Sequence, residues 1–182
     1  MVKVRSVVLP DFALSKRATG LRFLWLTLLL FVIDQVTKIW VAGEFELYES
    51  RVVIEGLFNF TYVHNYGAAF SFLSDSGGWQ RWLFTAIAIA ISVVLLIWMR
   101  RNPVGLWRQN LAFALILAGA IGNVADRLMY GYVIDFFDVH YQGWHWPAFN
   151  VADMAITIGA ALMLLEAFFD NRRDKLDGGD KS

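Results

Sequence analysis

The chain has 182 residues, no net charge and a hydrophobic fraction of 58%. A soluble domain is about 45–50% apolar, so this excess indicates a protein whose surface partly faces lipid. The balanced charge argues against a nucleic-acid partner, which usually requires a basic excess, and the absence of cysteine excludes disulfides, thiolate metal sites and a thiol nucleophile.

Four segments have the length of a bilayer span, which is about 20 mostly apolar residues. They cover roughly residues 21–41, 79–99, 111–129 and 149–169. The first is longer than the apolar core of a signal peptide, about 7–15 residues, and no small-residue cleavage site follows it, so it is predicted to remain as a span. Residues 1–170 are therefore expected to form one integral-membrane domain, followed by a flexible tail at 171–182.

Basic residues predict how the spans are oriented. Twelve of the sixteen lie on one side of the predicted membrane: Lys3, Arg5, Lys16, Arg17, Arg22, Arg100, Arg101, Arg108, Arg172, Arg173, Lys175 and Lys181. Because loops rich in Lys and Arg stay in the cytoplasm, both termini are predicted to be cytoplasmic. The connections at 43–78 and 130–148 are then expected to face outward.

The first outer connection contains a strand pattern. Phe58, Phe60 and Tyr62 alternate with Asn59 and Thr61, and a period of two predicts a β-strand. An unpaired strand is not tolerated in lipid, so residues 44–77 are expected to form a small periplasmic β-sheet on the outer membrane surface. The predicted fold is an all-α membrane protein with four transmembrane helices, this sheet and a short extracytoplasmic loop.

The first span carries two ionisable residues, Asp34 and Lys38. They are four residues apart and therefore share one helical face. A charge inside a span costs roughly 2.5–3.5 kcal/mol on insertion scales, so each needs a partner or a role. The favoured interpretation is a mutually neutralising pair near the outer end with Lys38 reaching toward water. A role toward a lipid or substrate head group is the alternative.

The third span places Gly119, Gly122, Asn123 and Asp126 on one stripe. Small residues allow close helix approach, and Asn and Asp provide hydrogen bonds between helices. Arg127 follows Asp126 directly, so the sequence favours an Asp126–Arg127 tether over a catalytic role for Asp126.

The fourth span begins with Asn150, Asp153 and Thr157 on one face, and no basic residue lies within a helical turn of Asp153. A helix cap accounts for Asn150 alone. In the outer segment 133–138, Asp135 is flanked by apolar residues. If Asp135 and Asp153 converge, both cannot ionise together, and a shared proton allows aspartyl hydrolysis of a peptide. Spacing alone supports a second interpretation equally well, in which both are ordinary acidic residues at the outer ends of helices.

Two other classes of function are considered. His64, His140 and His145 are predicted to lie outside, but they lack the spacing of a metalloprotease motif and are better explained as interfacial histidines. A channel or transporter with buried acids as a proton relay is the non-enzyme alternative. The chain shows no inverted repeat, and its acids cluster at the outer ends of the spans rather than near the midplane.

Five stretches of the chain together resemble bacterial lipoprotein signal peptidase, the signal peptidase II family of aspartyl peptidases. They occur in the expected order along four spans: Asp34-Gln35-Val36-Thr37-Lys38, Asn65-Tyr66-Gly67-Ala68-Ala69-Phe70, Gly119-Ala120-Ile121-Gly122-Asn123-Val124-Ala125-Asp126-Arg127, Val133-Ile134-Asp135-Phe136 and Phe149-Asn150-Val151-Ala152-Asp153. One departure is Ala118, where the family often has a second glycine, and alanine is still small.

The resemblance implies that Asp135 and Asp153 are the catalytic pair. It also implies supporting or substrate-binding roles for Asp34, Lys38, Asn65, Gly119, Asn123, Arg127 and Asn150, with Asp126 in the same motif. The implied substrate is a prolipoprotein cut before a diacylglyceryl-modified cysteine, in contact with membrane lipids, and the implied inhibitor is globomycin. The implied location is the bacterial inner membrane, with the active site near the periplasmic face under an apolar outer loop. No metal, nucleotide or organic cofactor is expected.

Overall fold

The computed structural model describes residues 18–67 and 78–178, with side chains up to 169. Within this part of the chain, four helices are long and apolar enough to cross a membrane. They are α1 (Leu24–Glu44), α2 (Trp79–Arg101), α3 (Trp107–Met129) and α4 (Val151–Gly178), and a 3-10 turn at Gly20–Phe23 leads into α1. A helix long and apolar enough to span a membrane is therefore present at each of the four predicted positions, with ends shifted by a few residues.

Helix α3 is the centre of the bundle. Of its most apolar stretch, 61% is buried inside the protein, against 17–22% for the other three helices. Its buried face contains many small residues, including Ala114, Ala118 and Gly122. The other helices instead expose large apolar side chains outward, as expected for a protein whose solvent is lipid.

Glycines bring α3 and α4 into close contact. A Cβ atom built on Gly119 would collide with the carbonyl oxygen of Ala152, and one on Gly159 would lie 2.8 Å from the carbonyl oxygen of Ala112. Any larger residue at either position would push the helices apart. The start of α4 therefore packs directly on the polar half of α3.

The two connections that the sequence predicts to face outward form one antiparallel sheet in the order β1-β2-β3-β4. Its strands are β1 (Ser50–Ile54), β2 (Phe58–Asn65), β3 (Val133–Tyr141) and β4 (Trp144–His145). The predicted strand is thus confirmed as β2. The second connection is not simply a short loop, because residues 133–139 pair with β2 and residues 140–141 pair with β4, which makes β3 a central strand. An apolar strand such as β2 needs a partner for its free edge, and β3 provides it.

An apolar cluster fixes the sheet to the bundle. It contains Val41, Phe45, Tyr62, Ile134 and Phe136, and joins the end of α1 to β2 and β3. At the other end of the molecule, α4 continues as a helix into the predicted tail at 171–182. The flexibility of that tail, the cytoplasmic location of the termini and the periplasmic location of the sheet stay predictions.

Candidate active site

Asp135 lies at the centre of the sheet, opposite Val63 of β2. Its side chain is buried, with 2% of the residue exposed. The side-chain amide of Asn65 donates to Asp135 Oδ2 at 2.9 Å, and that of Asn150 donates to Asp135 Oδ1 at 2.7 Å. Two amides from different elements therefore hold both oxygens of this carboxyl group.

Asp153 belongs to the N-terminal cap of α4. Asn150 Oδ1 accepts from the Asp153 N–H at 2.9 Å, and Asp153 Oδ2 accepts from the Asn150 N–H at 3.3 Å. This reciprocal pair is a capping box, built here from Asn and Asp. The second oxygen, Oδ1, accepts from the side chain of Asn123 at 2.8 Å. The sequence interpretation limited the cap to Asn150, whereas Asp153 completes it.

Asn150 forms hydrogen bonds to both carboxyl groups. Its side-chain nitrogen donates to Asp135 and its backbone N–H donates to the carboxyl group of Asp153. Its side-chain oxygen accepts from the backbone N–H of Asp153. Burial, together with the negative charge of Asp153, raises the pKa of Asp135 from 3.8 to about 8, against the opposing hydrogen bonds from Asn65 and Asn150. A carboxyl group with this pKa is mostly protonated at neutral pH.

Lys38 is the centre of a buried ion cluster beneath this pair. Its Nζ lies 2.9 Å from Asp34 Oδ2 and 2.9 Å from Asp126 Oδ2, and it donates to Asn123 Oδ1 at 3.1 Å. The predicted Asp34–Lys38 pair is present. The expectation that Lys38 reaches toward water is wrong, because only 1% of the residue is exposed. Three acceptors offset the cost of removing the ammonium from water.

The predicted Asp126–Arg127 tether is not formed. Asp126 binds Lys38, whereas Arg127 donates to the carbonyl oxygens of Gly67, at 2.9 Å, and Asn123, at 3.4 Å. Consecutive helical residues point about 100° apart and do not face each other, so each side chain finds a partner on a different element. Arg127 thereby joins α3 to the chain segment that follows β2.

Gln35 is a site residue that the sequence interpretation missed. Its Nε2 donates to Asp126 Oδ1 at 3.0 Å and to Asp34 Oδ2 at 3.2 Å. The amide thus lies between two carboxylates that would otherwise repel each other. The sequence signal for Gln35 was only its position beside Asp34 in the first motif. A neutral amide in a span is a weaker indication of function than a charged side chain.

A cavity of about 560 Å³ opens beside Asp153 and lies between α2, α3 and α4. Its polar end is lined by Asn65, Asn123, Arg127 and Asp153, and its long wall is apolar, with Phe84, Ile87, Ala88, Ile91, Ile116 and Ile158. The α2 wall was not found from the sequence, because an apolar residue facing a cavity and one facing lipid look the same in a uniformly apolar span.

The remaining predicted features lie around this centre. Gly119 packs against the backbone of Ala152. The ring of His64 stacks on Tyr132, with centroids 3.6 Å apart, and His145 Nδ1 lies 2.7 Å from Asp138 Oδ1. The end of the second motif, residues 68–70, and the stretch 71–77 of the outer connection lie outside the described residues, and a covering role for this connection stays a prediction.

Comparison with known proteins supports the resemblance to signal peptidase II. The family model described as signal peptidase (SPase) II matches residues 26–169. A lipoprotein signal peptidase from Shewanella halifaxensis is 55% identical over 163 residues, covering 90% of this chain and 95% of the relative. One from Alteromonas mediterranea is 54% identical over 166 residues, 91% of each. A solved bacterial membrane enzyme superimposes with a TM-score of 0.75 and 32% identity, covering 82% of this chain and 89% of that one.

Proposed function

The chain belongs to the signal peptidase II family, the aspartic peptidases that remove signal peptides from prolipoproteins, and on this premise we propose that Asp135 and Asp153 carry out the hydrolysis. The observation that carries the proposal is the contact of one residue, Asn150, with both carboxyl groups. Family membership also favours the peptidase over the channel or transporter considered from the sequence.

The proposed reaction needs one protonated and one ionised carboxyl group. The ionised group accepts a proton from water as the water oxygen attacks the scissile carbonyl carbon, and the protonated group donates a hydrogen bond to the carbonyl oxygen. As the tetrahedral intermediate collapses, the C–N bond breaks, and the carboxyl group that accepted the proton from water passes it to the departing amine. The raised pKa of Asp135 supports a pair that still holds this proton at neutral pH.

The cavity supports a membrane-embedded substrate. Its apolar wall, which includes Phe84 and Ile87 of α2, fits the apolar side chains of a signal-peptide helix, while its polar end contains Asp153. The scissile bond then reaches the carboxyl pair without transfer of the signal peptide into water. We propose that the cut falls just before a diacylglyceryl-modified cysteine, whose acyl chains remain among the membrane lipids.

The other polar residues are assigned supporting roles. Asn65, Asn123 and Asn150 orient the carboxyl groups through the hydrogen bonds that they donate to them. Arg127 lines the cavity and holds the carbonyl oxygen of Gly67, so it shapes the edge of the substrate site. With both termini in the cytoplasm of the cell, the pair acts near the periplasmic face of the bacterial inner membrane.

The proposal is tested by cleavage of a purified, lipidated prolipoprotein in detergent or lipid. Asp135→Asn and Asp153→Asn are each expected to abolish turnover while the protein remains folded and inserted. The matched control is Asp138→Asn, which changes a buried carboxylate of the same strand that binds His145 rather than the pair. Retained turnover by either of the first two variants would remove that residue from the catalytic role.

Two additions to the same assay address the other expectations. Activity is expected to survive EDTA, because the proposed chemistry uses only the two carboxyl groups and water. Inhibition by chelator would instead require a metal-dependent mechanism. Globomycin is expected to block cleavage, and loss of inhibition in a variant of the cavity wall, such as Ile87→Trp, would place the inhibitor in the cavity beside Asp153.

A further inference from the structure

Two backbone amides beside the proposed catalytic pair donate to the buried ion cluster. The N–H of Ala152 donates to Asp34 Oδ1 at 2.8 Å, and the N–H of Ile134 donates to Asp126 Oδ2 at 3.0 Å. Ala152 directly precedes Asp153, and Ile134 directly precedes Asp135. Each proposed catalytic residue is therefore attached, through the neighbouring peptide, to a different carboxylate of the cluster.

Lys38 joins these two attachments into one unit. Its single ammonium lies 2.9 Å from Asp34 and 2.9 Å from Asp126, and Gln35 donates to the same two carboxylates. No more than 1% of Asp34, Lys38 or Asp126 is exposed. Hydrogen bonds to charged acceptors are shorter and roughly twice as strong as neutral ones, so a dry cluster of this kind resists displacement.

The cluster connects elements that are distant in sequence. Asp34 and Lys38 come from α1, Asp126 comes from α3, and the amides belong to β3 and to the first turn of α4. Gly122 leaves the space for this arrangement, because a Cβ atom there would lie 2.6 Å from Asp34 Oδ2. At the first turn of α4, the carboxylate of Asp34 also meets the positive end of the helix dipole.

We propose that Asp34 and Asp126, held together by Lys38, are positioning residues that set the separation of Asp135 and Asp153 through the Ile134 and Ala152 amides. The inference depends on the proposed function of the pair. Asp34, Lys38 and Asp126 are buried, and none of the three lines the cavity proposed to hold the substrate. The contribution of the cluster is therefore to the rate of the chemical step rather than to substrate affinity, and a displacement of about 1 Å in such a site costs about a hundredfold in rate.

The test separates the acceptor from the charge at position 34. Asp34→Asn keeps one oxygen that can accept from the Ala152 N–H. Its amide nitrogen replaces the oxygen that binds Lys38, so Lys38 is expected to keep only Asp126 and Asn123 as partners. Asp34→Leu keeps the volume but removes the acceptor. Single-turnover cleavage of a lipidated prolipoprotein is expected to slow about a hundredfold in Asp34→Leu and less than about tenfold in Asp34→Asn. Substrate affinity is expected to change less than about threefold in both, as for any group acting only on the chemical step.

Thr27→Val is the matched control. Thr27 Oγ1 donates to the carbonyl oxygen of Ala114 at 3.0 Å, so it is also a buried hydrogen bond between α1 and α3, but it lies two turns from Asp34. Its loss is expected to leave the single-turnover rate unchanged. Thermal unfolding of every variant in detergent shows which variants remain folded. If Asp34→Leu does not insert into the membrane, the same comparison is made between Asp126→Leu and Asp126→Asn.

The possible results are distinct. Equal loss of rate in the asparagine and leucine variants would show that the charge of Asp34 matters rather than its acceptor, and would overturn the inference. A change confined to substrate affinity would overturn it as well. Asp135→Asn is assayed in parallel. If that variant remains active, the proposed function itself fails, whereas an inactive Asp135→Asn beside a fully active Asp34→Leu refutes only the positioning role.

Discussion

The stability of the Asp135→Asn variant relative to wild type is expected to increase as the pH rises. In the folded protein, burial and the charge of Asp153 raise the pKa of Asp135 from its ordinary value of 3.8 to about 8. Between these two values the folded state holds a proton that the unfolded chain has released. The contribution of Asp135 to the free energy of unfolding therefore falls as the pH rises through this window.

The size of the effect follows from two opposing terms. Each pH unit inside the window lowers the free energy of unfolding of the wild-type protein by about 1.4 kcal/mol, which is about 3 kcal/mol between pH 5 and pH 7. The variant lacks this carboxyl group, so its free energy of unfolding does not fall for this reason. Asn65 and Asn150 both donate to the carboxyl group, and an amide in its place has only one acceptor oxygen. One donor left unpaired costs about 1–3 kcal/mol, and this cost does not vary with pH.

The assay is thermal unfolding of wild type and variant in detergent at pH 5, 6 and 7. The difference in unfolding temperature is expected to move in favour of Asp135→Asn at each step, by about 2–4 °C per kcal/mol. Glu49→Gln is the control. A hydrogen bond from Arg51 lowers the pKa of Glu49 below its ordinary value of 4.5, so the effect of this group on stability is expected to change little between pH 5 and pH 7. A difference in unfolding temperature that stays constant, or that moves in favour of wild type, from pH 5 to pH 7 would refute the reasoning.

Two further substitutions test the packing and the cavity edge. Gly119→Ala places a methyl group against the Ala152 carbonyl oxygen and is expected to lower stability by about 1–3 kcal/mol. It should also slow cleavage, and Gly43→Ala, which has open space around it, is the control. Arg127→Lys has one ammonium where the guanidinium reaches both Gly67 and Asn123, so KM is expected to rise more than kcat falls. A kcat loss at unchanged KM would contradict this assignment.

The sequence determined the four apolar helices and selected most of the candidate site. Each span was visible because its apolar length suffices by itself, and Asp34, Lys38, Asp126 and Asp153 stood out because a charge inside such a segment is costly. The strand at β2 was visible from its period of two. These signals depend on local composition and on which face of one element a residue occupies, and both can be read along a single chain.

Only the tertiary structure decided which polar groups pair. Lys38 turned inward to Asp126, Asp126 left Arg127, and Gln35 joined the cluster, because the rotation of α1 against α3 sets these distances. The same applies to β3, which became a strand because β2 lies alongside it. Local periodicity gives the direction of a side chain relative to its own helix or strand. The partner that it meets depends on how separate elements pack, and that arrangement is a property of the whole chain.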